Sequence, residues 1–177
     1  MNTRYPFAVL LFAVMSTITA YAVAATRVAL PIPAADHAAI RNYPLTEDVV
    51  RRLYDVSVEA KKARLEPSPF FAQLEANSLD DVTDRILTTQ PRLARIVESH
   101  GFTRRDYVMA GFALASARQT ALHGPDDASG GVLHNQFVSS ENASAANIAF
   151  YEEHSAELEP MLGKDTMTSS GLKPNAR

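Results

Sequence analysis

Apolar residues recur at helical spacing in several separate stretches of the chain, and no stretch alternates as a half-buried strand would. The first helical stretch begins at Thr46, a typical N-cap residue followed by two acids, and runs to about Leu65. Its apolar positions, spaced by three and four residues, are Val49, Leu53, Val56, Ala60 and Ala63. This spacing predicts a surface helix with one apolar face.

Three shorter helices are predicted to follow. Ser68 precedes a proline, and proline is well tolerated at the first position of a helix. Ser78 caps a second short helix with acids in its first turn, where they suit the helix dipole. Pro91 opens the third, and Gly101 is placed to end it.

The best-defined helix start lies at Thr103. Asp106 stands three residues later, as in a capping box, and Phe102 and Tyr107 occupy the two positions of a hydrophobic staple. Residues 107–117 carry no charge, so the helix is apolar on all sides and belongs in the middle of the fold. Within it, Gly111 and Ala115 are expected to form a flat strip that a neighbouring helix approaches closely.

A long loop is predicted over residues 123–142, because glycine, proline and aspartate cluster there. Ser144 then caps a last helix, which Pro160 is expected to limit. One face of this helix is predicted to hold Ile148, Tyr151, Ser155 and Leu158.

Together these elements predict an all-α fold, a compact bundle of about five helices around the central apolar helix 103–122. The helical domain is expected to span residues 45–162. Residues 25–44 contain three prolines and no sustained period, which predicts an extended lead-in, and residues 163–177 are polar and unpatterned, which predicts a disordered tail.

The first 24 residues are typical of a cleaved signal peptide. Arg4 precedes an uncharged apolar run over residues 7–15, and small residues then lead to a cleavage site after Ala24 or Ala25. An uncleaved anchor would need about 20 continuous apolar residues, whereas Thr17 and Thr19 interrupt this run. The prediction is a periplasmic or secreted protein of a Gram-negative bacterium, with no stable membrane anchor after cleavage.

Composition adds two constraints. The chain has no cysteine, so neither a disulfide nor a lipid attached to cysteine is available, and its stability must come from packing. Its net charge is −3, and removal of residues 1–24 takes away only Arg4 and leaves −4. This acidic balance argues against nucleic acid as a partner.

Three segments resemble a group of uncharacterised small exported proteobacterial helical proteins. They are Ser78-Leu79-Asp80-Asp81, Gly101-Phe102-Thr103-x-Arg105-Asp106-Tyr107-Val108 and Asn147-Ile148-Ala149-Phe150. The resemblance covers roughly residues 45–160. It implies a signal peptide and an all-helical mature domain, and it supplies no activity and no catalytic residues.

The histidines are candidate metal ligands, yet no two stand three or four residues apart, as two ligands on one helix face would. The candidate metal set lies in the predicted loop and comprises His123, Asp126, Asp127 and His134. Aspartates beside glycine and proline are also ordinary turn residues, which is the alternative interpretation.

Two acidic groups are candidates for acid–base chemistry, namely Asp80, Asp81 and Asp84, and Glu152, Glu153 and Glu157 with His154. Position in a first helical turn or on a solvated helix face explains both equally well. No motif for a serine nucleophile or a phosphate loop occurs. Arg104 and Arg105 place two positive charges at the positive end of a helix dipole, which is unfavourable. They are therefore expected to pair with Asp106 or a neighbouring acid.

These observations favour a non-enzymatic binding or interaction protein, without a cofactor, whose partner is an unknown protein or a small apolar ligand held between helices. Two alternatives stay open. One is a metal- or haem-binding module that uses the histidines, and the other is a hydrolase that depends on a carboxylate pair.

Overall fold

A computed structural model describes residues 32–65, 76–125 and 136–162. Within these ranges the chain is all-helical and contains no strand, which confirms the predicted fold class there. The helices are α1 (Ala34–Arg41), α2 (Glu47–Lys62), α3 (Leu79–Leu87), α4 (Pro91–Ser99), α5 (Arg104–His123) and α6 (Ala145–Leu162), with a 3-10 turn at Ser140–Asn142.

Four helices begin at the N-cap residues that the sequence predicts. In each case the side-chain oxygen of the cap accepts a hydrogen bond from the backbone N–H three residues later. These bonds join Thr46 to Val49 at 3.2 Å, Ser78 to Asp81 at 3.1 Å, Thr103 to Asp106 at 3.1 Å and Ser144 to Asn147 at 3.1 Å. The predicted staple is also present, because the rings of Phe102 and Tyr107 meet edge to face with centroids 6.0 Å apart.

Helix α5 contacts each of the other five helices, and most of the residues in its middle are buried. Its buried residues are Val108, Ala110, Phe112, Ala113, Leu114, Ala115, Ser116 and Ala117. The close helix approach expected at Gly111 is absent, since a Cβ atom built there would meet nothing within 4 Å among the described residues. Gly111 therefore lies beside open space.

The extended lead-in predicted for residues 25–44 is wrong over Ala34–Arg41, which form α1. The carbonyl of Pro33 accepts hydrogen bonds from the N–H groups of Asp36 and His37, and this closes the first turn. Asp36 and Ile40 are buried on one face, so tertiary contacts stabilise the helix. The short, alanine-rich sequence of this segment does not predict those contacts.

Helix α6 runs past Pro160 to Leu162, so Pro160 does not end it as predicted. Pro160 is exposed and stands in the last turn, so the backbone hydrogen bond that it cannot donate is lost only near the end of the helix. Tyr151 and Leu158 of the predicted inward face are buried, and Ile148 and Ser155 are half-buried.

Several predictions lie outside the described residues. These are the signal peptide over residues 1–24, the short helix from Ser68, most of the loop over residues 126–135 and the tail over residues 163–177.

Candidate functional site

A groove lies between the C-terminal half of α2 and the outer face of α4. Its volume is about 480 Å³, and it is lined by Glu59, Lys62, Ala63, Arg92, Arg95, Ile96 and Ser99. Ile96 is buried and Ala63 is half-buried, so the floor is apolar. The polar lining residues are exposed and form the rim.

Helical spacing explains why these residues meet. Three of them fall at i, i+3 and i+4 on α2, and four follow the same spacing along α4, so each helix contributes one continuous stripe. Beneath the stripes, both helices bury apolar residues in the common core, including Val56 and Ala60 of α2 and Leu93 and Val97 of α4. The groove is therefore formed by two firmly packed helices.

The three cations of the groove, Lys62, Arg92 and Arg95, form no ion pair with a carboxylate of the described residues. Other exposed arginines do form such pairs. The contacts are Arg51 to Asp48 at 2.6 Å, Arg85 to Asp81 at 2.7 Å and Arg104 to Glu98 at 2.9 Å. Among the described residues, the groove thus concentrates positive charge that no carboxylate pairs with, on a chain whose net charge is −3.

Glu59 is the one carboxylate that lines the groove, and it already has a partner. Its Oε2 atom lies 2.9 Å from Nε2 of His100, at the end of α4. This contact uses Oε2 of Glu59, and neither oxygen of Glu59 forms an ion pair with Lys62, Arg92 or Arg95.

The start of α4 adds to the positive potential of the groove. Gln90, at its N-cap, makes no side-chain hydrogen bond to the helix, and no acid stands in the first turn. Arg92 occupies that turn instead, next to the positive end of the helix dipole. The arrangement is unfavourable for an isolated helix and becomes favourable when an anion lies nearby.

The predicted metal set is described only in part. His123 is the exposed last residue of α5, whereas Asp126, Asp127 and His134 lie outside the described residues. The part of the chain that is described contains no group of three or more His, Asp or Glu side chains that would hold a metal ion. The loop site stays a prediction.

The acidic candidates on α3 have structural partners. Asp81 accepts hydrogen bonds from Arg85 at 2.7 Å and from the backbone N–H of Asn77 at 3.0 Å, and these bonds hold the pKa of Asp81 below its ordinary value. Asp80 pairs with Arg105. These contacts anchor the start of α3 and do not form a catalytic pair of carboxylates.

The expected acid partners of Arg104 and Arg105 are present, although Asp106 is not the one used. Arg104 pairs with Glu98 at 2.9 Å, and Arg105 bridges Asp80 and Asp36, with 3.1 Å to the latter. Asp36 also accepts the backbone N–H of Leu79 at 2.9 Å. The arginine pair therefore ties α1 and α3 to the start of α5.

The acidic candidates on α6 do not converge. Glu152, Glu153 and Glu157 are exposed, and His154 lies against the ring of Phe150, with ring centroids 4.6 Å apart. This arrangement does not orient His154 for proton transfer with any of the three glutamates.

Two partly buried polar clusters were not predicted. In one, Arg118 of α5 pairs with Glu159 of α6, and Tyr151 donates its hydroxyl hydrogen to the same carboxylate. In the other, Nδ1 of His37 donates to Oδ1 of Asn142 at 2.7 Å. The oxygen of Asn142 is identified by its amide nitrogen, which donates to the carbonyl of Phe137 at 2.9 Å. The partners in the second cluster stand 105 residues apart, and no local motif marks such a pair.

Comparison of the chain with models of protein families, with curated proteins and with solved structures found no match. Among the described helices, none is both long enough and apolar enough to cross a membrane. The groove between α2 and α4 is therefore characterised by its own residues, which are three cations around an apolar floor, without carboxylate partners in the part of the chain that the structure describes.

Proposed function

We propose that the chain is an exported, non-enzymatic binding protein whose α2–α4 groove receives an acidic segment of a partner protein. The observation that carries the proposal is the set of three cations, Lys62, Arg92 and Arg95, which two helices hold around an apolar floor without carboxylate partners among the described residues. Export follows from the signal peptide expected over residues 1–24, and the exported domain is proposed to be a helical bundle around α5.

The chemistry of the groove favours a ligand with several negative charges. An exposed ion pair contributes only about 0.2–1 kcal/mol, so one carboxylate on this open rim would bind weakly. A peptide that carries two or three acids pairs with Lys62, Arg92 and Arg95 at once and places an apolar side chain over Ile96. Longer polyanions such as nucleic acid are disfavoured, because the rest of the chain is negative overall.

A binding measurement with matched variants tests the proposal. The probe is a fluorescently labelled peptide of alternating glutamate and leucine, and its anisotropy is followed as the purified chain is added at low and at high salt. Arg92→Gln with Arg95→Gln is expected to weaken binding by about tenfold or more, since two charge-assisted contacts are lost.

The control is Arg41→Gln with Arg51→Gln, which removes the same charge from exposed arginines outside the groove. This control should bind the peptide as the unmodified chain does. The proposal is wrong if the unmodified chain does not bind the peptide at low salt, or if both double variants weaken binding equally.

A further inference from the structure

The outer face of α6 carries negative charge that is not balanced locally. Glu152, Glu153 and Glu157 are exposed, and none of them pairs with a cation of the described residues. Ala149 and Ala156 stand on the same exposed side, so this face is narrow as well as acidic. It is called the acidic face of α6 below.

This face and the α2–α4 groove carry complementary charges. The groove offers three cations over a floor of Ala63 and Ile96, and the acidic face offers three carboxylates between small side chains. Small residues let a helix come close to the surface that it contacts. Within one copy the two surfaces do not pair, because no carboxylate of the described residues reaches Lys62, Arg92 or Arg95.

We infer that the occupant of the groove, when no other partner is bound, is the acidic face of α6 from a second copy of this chain. This inference rests on the proposed function, because it requires that the groove binds acidic segments. The two surfaces that meet are different, so the contact is heterologous. Each added copy leaves one groove and one acidic face free, and association continues beyond a dimer unless a ring closes.

The charged groups on both surfaces are exposed, and this exposure determines the strength and the salt dependence of the association. Their attraction acts through water and is screened within about 10 Å at moderate salt. Association is therefore weak, grows with protein concentration and is lost at high salt. An acidic partner competes with it directly, since both occupy the same cations.

Analytical ultracentrifugation of the full chain over a range of concentrations tests the inference. The unmodified chain should associate at low salt and dissociate at high salt. Two variants reverse the charge of one surface each. The groove variant is Arg92→Glu with Arg95→Glu, and the α6 variant is Glu152→Lys with Glu153→Lys. Each variant alone should stay monomeric, because the groove of one copy and the α6 face of the next then carry charges of the same sign.

Mixing the two reversed variants is the decisive step. The unmodified acidic face of the groove variant pairs with the unmodified groove of the α6 variant. The basic α6 face of the α6 variant pairs with the acidic groove of the groove variant. The mixture should associate as the unmodified chain does, which also shows that both variants are folded. The control, Asp84→Lys with Glu141→Lys, changes the same charge at exposed sites away from both surfaces and should leave association intact.

The inference is overturned if the unmodified chain stays monomeric at low salt, if the mixture fails to associate, or if the control variant loses association as well. Peptide binding measured at dilution separates this result from the proposed function. Peptide binding without self-association overturns the inference alone, whereas loss of both overturns both.

Discussion

The guanidinium of Arg118 holds both carboxylate oxygens of Glu159, with Nε 2.7 Å from Oε1 and Nη2 2.9 Å from Oε2. Such a two-pronged contact is the strongest form of ion pair between these side chains. The hydroxyl of Tyr151, a buried residue, donates to Oε1 as well. The cluster fixes the C-terminal half of α6 against α5.

This contact makes stability depend on pH. The hydrogen bonds from Arg118, aided by the one from Tyr151, lower the pKa of Glu159 from 4.5 to about 2. A carboxylate whose pKa is lower in the folded state stabilises that state above its ordinary pKa, and this contribution is lost as the pH falls from about 4.5 to about 2. Glu159→Gln should lower the free energy of unfolding at neutral pH by about 1–2 kcal/mol, a value reduced for the partial exposure of Glu159.

Urea unfolding followed by circular dichroism at several pH values checks this expectation. The difference in stability between the unmodified chain and Glu159→Gln should shrink as the pH approaches 2. Glu157→Gln, an exposed change on the same helix, is the control and should cost less than about 0.5 kcal/mol. An unchanged difference across the acidic range would show that Glu159 does not titrate as described.

Asn147 is expected to contribute strongly to the free energy of unfolding, because its side-chain amide hydrogen-bonds to the backbone just before α2. Its oxygen accepts the backbone N–H of Leu45 at 3.1 Å, and its nitrogen donates to the carbonyl of Tyr43 at 2.9 Å. Asn147→Ala leaves both backbone groups without these partners and should cost about 2 kcal/mol or more. Asn77→Ala, at an exposed asparagine, should cost far less. Faster hydrogen exchange at the Leu45 amide in Asn147→Ala would locate the effect, and unchanged exchange there would contradict it.

The same substitution should have opposite effects at two glycines of α5. Gly111 stands inside the helix beside open space, so Gly111→Ala is expected to stabilise the fold by up to about 1 kcal/mol through helix propensity. Gly124 ends the helix with φ of +82°, a conformation that residues with a Cβ rarely adopt. Gly124→Ala should therefore destabilise by about 1 kcal/mol. Thermal unfolding of both variants checks the two signs, and a lower melting temperature for Gly111→Ala would mean that the space beside it is filled.

An aromatic pair joins the segment that begins at residue 136 to α5. Phe137 stacks on Phe112 with ring centroids 5.0 Å apart, and both side chains are fully buried. Phe137→Ala should cost about 3–5 kcal/mol, because it leaves a cavity beside the central helix. Tyr54→Ala removes an aromatic side chain that is 37% exposed, and it is the matched control with a small expected effect. Denaturant unfolding that gives similar losses for both variants would contradict this assignment.

Helix starts were predictable from the sequence because their signals are local. Each N-cap side chain bonds to a backbone N–H three residues later, so the residues that specify the helix start all lie within one turn. These caps are Thr46, Ser78, Thr103 and Ser144. Helix α1 escaped prediction because its first turn follows a proline and contains a buried aspartate. Asp36 belongs there only because Arg105, 69 residues later, and the N–H of Leu79 bind it.

The candidate groove was beyond sequence reasoning for the same physical reason. Lys62 and Arg92 lie on different predicted helices, and nothing in either local pattern says that these helices pack side by side. The feature that distinguishes the groove is that its cations have no carboxylate partner within residues 32–65, 76–125 and 136–162. That feature exists only after the chain has folded.

Two of the polar contacts that hold α1 and the start of α2 come from near the end of the domain. Asn142 binds His37 across 105 residues, and Asn147 binds the Leu45 amide across 102 residues. During synthesis, α1 and the start of α2 therefore cannot form these two contacts until almost the whole domain has been made. These native contacts therefore close loops of about 100 residues, and the entropy of closing such long loops must be overcome before the contacts contribute to stability.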